Sequence, residues 1–135
     1  MIGQHAPTSE VERLAAQIAR LEERVADLQR AVPTPWVAPT LLNGWTNFGG
    51  ADQIAQFRRH ADTVQVRGLV KSGTVGFVPV FVLPVGCRPV QNQRFVQINP
   101  STGGTGGVYV DPSGNVGIFA GTNSAMSLNL SFSIY

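Results

Sequence analysis

The chain has 135 residues, of which 13% are charged and 43% hydrophobic, with 15 Gly and a net charge of +2. This length allows one domain of about 100 residues and a short additional segment. The composition favours a β-rich, tightly turned domain over a disordered chain. Its few cationic residues are scattered, which argues against nucleic-acid binding because that function needs clustered Lys and Arg.

Three other features restrict the class of protein. No apolar run approaches the length of a membrane span, so membrane insertion is not expected. The first ten residues, MIGQHAPTSE, lack a basic segment followed by an apolar one, so we expect no signal peptide. The single Cys87 excludes an intrachain disulfide framework.

A regular heptad pattern occupies the segment Val11–Val32. Apolar residues recur at alternating steps of three and four, and we call them the seam: Val11, Leu14, Ile18, Leu21, Val25, Leu28 and Val32. This spacing predicts a coiled coil rather than a helix packed on a globular core. A lone helix of this length is marginal in water because its seam has nothing to bury it. We therefore expect other copies of the chain to supply the partner.

The flanking residues predict where this helix begins and ends. Ser9 and Glu12 have the spacing of a capping box, so the helix is expected to begin at Glu10. Pro33 and Pro35 are expected to end it.

The number of chains in the coil is indicated less directly. Val or Ile at the a positions with Leu at the d positions favours a dimer. The segments 24–29 and 17–22 instead resemble the Arg-h-x-x-h-Glu pattern of short trimeric coils, where h is an apolar residue. Each departs from that pattern at one position, through Gln29 and Gln17 respectively. We predict a parallel homotrimer, with a dimer as the alternative.

From Pro33 onward the pattern is that of short strands and turns. Strands are predicted at residues 56–59, 63–71, 75–83 and 94–99, and the mostly apolar 75–83 run is expected to be buried on both faces. Residues 101–107, STGGTGG, are predicted to form a flexible loop. Residues 108–110 and 116–119 are predicted to form a hairpin. In the last stretch, 127–135, the inward residues are predicted to be Leu128, Leu130, Phe132 and Ile134.

These elements predict a mostly β protein with one N-terminal α-helix. The expected architecture is a trimeric parallel coiled coil followed by an antiparallel β-sandwich, jelly-roll-like head of seven or eight strands. The predicted divisions are a flexible lead-in at 1–8, the oligomerisation helix at 9–32, a Pro/Gly-rich neck at 33–50 and the head at 51–135.

Several phrases of the sequence resemble the head domains of bacteriophage tail-fibre or receptor-binding proteins. The most specific are the opening Trp36–Asn47, WVAPTLLNGWTN, and the phrase Leu83–Pro89, LPVGCRP. The stretches 66–73, 111–116 and 127–135 are also similar, so the resemblance spans residues 36–135. Cys87 stands where Tyr or Phe is expected in such heads.

The resemblance implies a virion fibre protein, made in the host cytoplasm, whose homotrimeric head binds a host-surface glycan. Other virion proteins would then be bound through the N-terminal end. One alternative is a structural capsid or head-fibre decoration protein without a receptor role. Another is a non-viral trimeric β-domain of C1q or tumour-necrosis-factor type.

Individual residues suggest a binding surface only weakly. Tyr109 and the loop 101–107 are candidates for an exposed binding edge, and Arg58, Arg59 and His60 could meet an anionic polymer. For these cations, a solvated turn or an ion pair with Asp52 or Asp62 of a neighbouring subunit is favoured over such binding. Trp36 and Trp45 are expected to pack structurally between stalk and head rather than to stack on sugars. Cys87 is expected to be a small packed residue rather than a nucleophile.

Catalysis is not expected from this sequence. The histidines are His5 and His60, and residues 51–135 contain no Glu, so a carboxylate pair would have to come from Asp52, Asp62 and Asp111. No His/Cys cluster has zinc spacing and no run resembles a calcium loop. We therefore predict no enzyme activity, no metal and no cofactor.

Overall fold

The structure, a computed structural model, describes residues 5–135, with the side chains of residues 5–8 and 29–31 left undescribed. The chain divides into two compact units, Met1–Val32 and Pro33–Tyr135. The first unit contains one α-helix, α1, which covers His5–Ala31. Within the described residues, no helix combines the length and hydropathy that a membrane span needs.

Helix α1 begins earlier than its capping box predicted. It starts at His5 rather than at Glu10, so Ser9 lies inside the helix and part of the predicted lead-in is helical. Pro7 does not prevent this, because a proline in the first turn lacks only an N–H that has no intrahelical acceptor. Residues 1–4 of the predicted lead-in lie outside the described residues.

The second unit consists of antiparallel strands, ten of them in residues 33–135, where the sequence predicted seven or eight. They are β1 Thr46–Asn47, β2 Gln56–His60, β3 Thr63–Arg67, β4 Leu69–Lys71, β5 Pro79–Val82, β6 Gln93–Ile98, β7 Thr105–Val110, β8 Asn115–Ala120, β9 Met126–Ser127 and β10 Leu130–Ser133. Sheet I has the order β10-β3-β2, sheet II the order β5-β8-β7-β6, and sheet III the order β1-β4-β9. The protein is thus mostly β with one N-terminal helix.

Sheets I and II share one hydrophobic core. Phe57 of sheet I stacks on Phe81 of sheet II with ring centroids 6.2 Å apart, and Phe132 of sheet I meets Phe95 of sheet II in a tilted arrangement at 6.4 Å. The alternation predicted for the last strand is confirmed, since Leu128, Leu130 and Phe132 are buried while Ser131 and Ser133 are exposed. The predicted 108–119 hairpin is also present, as β7 and β8.

Two predicted segments differ from the structure. The 75–83 run forms a strand only at Pro79–Val82, and Phe77 lies outside it with 67% of its surface exposed. Of the predicted loop 101–107, the last three residues belong to β7. Apolar composition and glycine content were the signals at these positions, and neither distinguishes a strand from an irregular segment that packs on a sheet.

The predicted strand 63–71 is divided by Gly68. This residue has φ +137°, and a Cβ there would lie 2.6 Å from the Ala55 Cα. Only glycine fits such a position, so the chain changes sheets between β3 and β4.

The segment predicted as a neck, 33–50, is part of the β unit. Trp45 is 2% exposed and donates a hydrogen bond from Nε1 to the Thr74 carbonyl oxygen at 3.1 Å. Residues 46–47 form β1, and Leu41 packs against the core. A tryptophan with its polar nitrogen satisfied is well suited to such a buried place, which explains why the segment folds with the head.

Candidate functional site

Trp36 is positioned by the backbone on either side of it. The Thr34 N–H donates to the Arg59 carbonyl oxygen at 2.8 Å, and Val37 forms a two-way bridge with Phe57. Both partners belong to β2, an edge strand of sheet I, so residues 34–37 lie along that edge. Trp36 is half-buried there.

Two arginines lie over the Trp36 ring. The Arg58 guanidinium carbon is 4.4 Å from the ring centroid and that of Arg67 is 3.9 Å from it. Antiparallel pairing brings them together, because Gln56 of β2 is opposite Arg67 of β3, and Arg58 is opposite Gln65. At these distances cation–π attraction fixes the ring and the guanidinium groups relative to each other.

Each guanidinium is held by a neutral amide rather than by a carboxylate. The Arg58 Nε donates to Gln65 Oε1 at 2.7 Å, while Arg67 donates from Nε and Nη2 to Gln56 Oε1 at 3.0 and 2.6 Å. None of these three hydrogen bonds cancels the positive charge of the guanidinium group that donates it. The surface therefore combines an aromatic ring with two cations that are oriented but not neutralised by these partners.

An open groove of about 380 Å³ lies beside this cluster, and we call it the Trp36 groove. Its lining residues are Trp36, Arg58, Gln65, Val66, Asn129, Leu130 and Ser131. Its volume is within the range of about 300–1,000 Å³ common for ligand sites. The side chains of Asn129 and Ser131 are exposed, so the groove offers hydroxyl, amide and guanidinium groups around one ring.

The structure separates the three residues that the sequence suggested for ligand binding. Arg58 lies in the Trp36 groove. Arg59, its neighbour on β2, donates instead to the carbonyl oxygens of Ala61 and Gly86, at 2.7 and 2.9 Å. Tyr109 is 7% exposed under the rings of Phe77 and Phe119, so its interpretation as part of an exposed binding edge is wrong. A phenylalanine from the irregular segment before β5 covers it, which local sequence did not indicate.

Sequence reasoning missed most of the groove. It assigned Trp36 to structural packing and did not single out Arg67, Gln65, Asn129 or Ser131. One signal was available, because the alternation in residues 63–67 places Gln65 and Arg67 on one face. The contribution of residues 129–131 depends on pairing between β10 and β3, which local spacing does not reveal.

Cys87 does not line the Trp36 groove. Cys87 is half-buried against the core, as expected for a packed residue, and burial raises the pKa of its thiol although Arg59 nearby acts in the opposite direction. Among the residues that the structure describes, no three His, Cys, Asp or Glu side chains are grouped as a metal site.

All seven residues of the seam are exposed, six of them on α1 and Val32 directly after its end. Their exposed fractions run from 52% at Val25 to 69% at Leu28. Such a row of Val, Ile and Leu has a large area to bury against a partner outside the chain.

Comparison with known proteins gives one structural likeness. No protein family matches the sequence, and no curated protein matches it significantly. The crystal structure of the receptor binding protein (gp15) of Listeria phage PSA matches with a TM-score of 0.65 and 20% identity, over 89% of this chain and 76% of that one. The chain therefore has a phage receptor-binding-like fold.

Proposed function

We propose that this protein is a phage virion fibre protein that binds a glycan on the host cell surface through the Trp36 groove. The fold likeness to a Listeria phage receptor binding protein supports the virion role. We infer a glycan ligand from one observation: the Trp36 ring lies against Arg58 and Arg67 in an open groove that also presents amide and hydroxyl groups.

The chemistry of the groove suits a sugar. A pyranose ring has C–H groups that pack against the part of the indole that the two guanidinium groups leave exposed, and its hydroxyl groups need donors and acceptors around that contact. Gln65, Asn129 and Ser131 offer both kinds of group. The two guanidinium groups would in addition favour a glycan that carries phosphate or carboxylate groups. An open groove admits a polymer that continues beyond the bound unit.

The assembly in this proposal is a homotrimer with a parallel coiled coil and a jelly-roll-like head, and a dimer is the alternative. The exposed seam supports self-association, since a helix of this length is marginal alone. Three identical weak sites would act together, and such multivalency raises apparent affinity by about 10²–10⁴ without new contacts. The N-terminal end would attach to other virion proteins.

The test is binding of fluorescently labelled protein to intact host cells, with free cell-wall or capsule sugars as competitors. We expect saturable binding that the sugar competes away and that Trp36→Ala reduces at least about tenfold, the usual loss when a stacking aromatic is removed. Ser131→Tyr fills the groove from an exposed position and is expected to act in the same direction. Tyr135→Ala removes an aromatic that is exposed but outside the groove, and binding should not change.

Two results would contradict the proposal. Sugar-competed binding that survives both groove variants would place the site elsewhere. No binding by folded, oligomeric protein would favour the structural alternative, a capsid or head-fibre decoration protein. Particles lacking the protein would then adsorb normally to their host.

A further inference from the structure

The outer face of sheet II is apolar and open. Strand β6 alternates, so Phe95 packs against the core while Arg94, Val96 and Ile98 are on the opposite, outer face. Val96 is 77% exposed and Ile98 is 59% exposed. An outward strand face in a water-exposed sheet is normally polar, so these two residues are unusual there.

Three aromatic rings continue this face. Phe77 lies 5.4 Å from Tyr109 and 5.6 Å from Phe119, measured between ring centroids. Gly117 and Gly107 lie directly beneath the Tyr109 and Phe119 rings, where a Cβ would overlap them. The Tyr109 and Phe119 rings therefore lie close to the sheet. Phe77, which is 67% exposed, and the half-buried Phe119 supply most of the outer surface, since Tyr109 is buried. We call the set Phe77, Arg94, Val96, Ile98, Tyr109 and Phe119 the aromatic face.

Arg94 is the charged member of the aromatic face, and Asp111, close to Tyr109, adds a charge of the opposite sign at its margin. Arg94 is over the rings of Phe77 and Phe119 at 5.7 and 5.1 Å. Asp111 is near enough to Tyr109 to raise the pKa of its hydroxyl, although burial raises it more. One charge of each sign lets rotated copies meet without opposing like charges. The face of sheet I is different, because Arg58 and Arg67 would bring cations together in every copy.

We propose that the aromatic face is the contact between β units of neighbouring copies of this chain. The proposal rests on the self-association proposed above, because the seam holds the copies together. A tether of this kind raises the local concentration of a second β unit to the millimolar range, about that needed for a modest apolar contact. The Trp36 groove, on the other sheet, then stays open to solvent in each copy.

The test measures thiol reactivity in the purified full-length protein, where another copy is the only available cover. Cys87→Ser provides a background without the native thiol. Val96→Cys then introduces a thiol on the aromatic face, and Val85→Cys introduces a matched one at a valine that is 85% exposed outside it. Each rate of alkylation is divided by the rate for the same variant in urea, which removes differences in intrinsic reactivity. Light scattering gives the mass of each variant.

We expect an oligomer in which position 96 reacts at least about tenfold more slowly than in urea, while position 85 shows little protection. If Val96→Cys fails to fold, Ile98→Cys replaces it. An oligomer in which the thiol at position 96 is alkylated as fast as in urea would overturn this proposal alone. The aromatic face would then be free to bind a different partner. Equal protection at both positions would also overturn it, since the slowing would not be specific to the face. A monomer would overturn self-association and this contact together.

Discussion

A single substitution in the seam tests the coil most directly. Ile18 is 55% exposed on α1, so its own helix already covers almost half of it. Full burial of an isoleucine contributes about 1.5–3 kcal/mol, so covering the rest in a coiled coil contributes about 1–1.5 kcal/mol per copy. For three copies the loss in Ile18→Asp is about 3–4.5 kcal/mol, or about 10²–10³ in the association constant. Three carboxylates held near one axis add to this loss.

The assay is sedimentation equilibrium of full-length protein over a range of concentrations, with helix content followed by circular dichroism. Ile18→Asp should raise the concentration at which a trimer half-dissociates by at least about tenfold, because that concentration varies as the square root of the trimer association constant. Ala16→Asp introduces the same carboxylate at an exposed position outside the seam, and it should leave the mass unchanged. A variant oligomer as stable as the unmodified one would refute the seam as the site of association.

Two more predictions concern the β unit. Gly68→Ala should destabilise it by about 2 kcal/mol or more and lower Tm by about 8–16 °C. Gly76→Ala has a similar φ, +146° against +137°, with no atom near its added Cβ, so it should cost less, and equal losses would contradict a clash with Ala55. Because burial raises the pKa of Cys87, its alkylation by iodoacetamide should reach half its maximal rate at a higher pH than free cysteine. Arg59 lowers that pKa, so Arg59→Gln should move the midpoint further up, and a downward shift would count against the assigned causes.

The strands that the sequence predicted well are those with one face in the core. Val64 and Val66 alternate with Gln65 and Arg67, and Leu130 alternates with Ser131. The two-residue period of apolar residues in the sequence therefore matches the alternation of more and less buried side chains in the structure. The 75–83 run lacks that contrast, because Phe77 packs on the outside of sheet II while Phe81 packs on the inside. In the sequence, a phenylalanine that packs on the outside of a sheet cannot be distinguished from one that packs in the core.

The groove was harder to predict because it depends on contacts between distant parts of the chain. Trp36 meets Arg58 and Arg67 only after residues 34–37 align with β2 and β2 pairs with β3. The remaining lining residues of the groove lie in β10 or directly before it, and Ser131 of β10 pairs with Gln65 of β3. Spacing within one strand identifies which residues share a face, but not which strand becomes the neighbour. The sequence identified Arg58 as a cation but not the Trp36 ring over which it lies.

The attachment of residues 34–37 to β2 also has a mechanical consequence. Any pull transmitted along the chain from α1 enters the β unit at this segment, where backbone hydrogen bonds of Thr34 and Val37 to β2 carry the load first. Trp36 lies between these two points. In a particle tethered through the proposed groove, tension would therefore pass from the helix to the ligand by a short path along the edge of sheet I. The hydrogen bonds that hold residues 34–37 to β2 and the contact with the ligand would then be under tension at the same time.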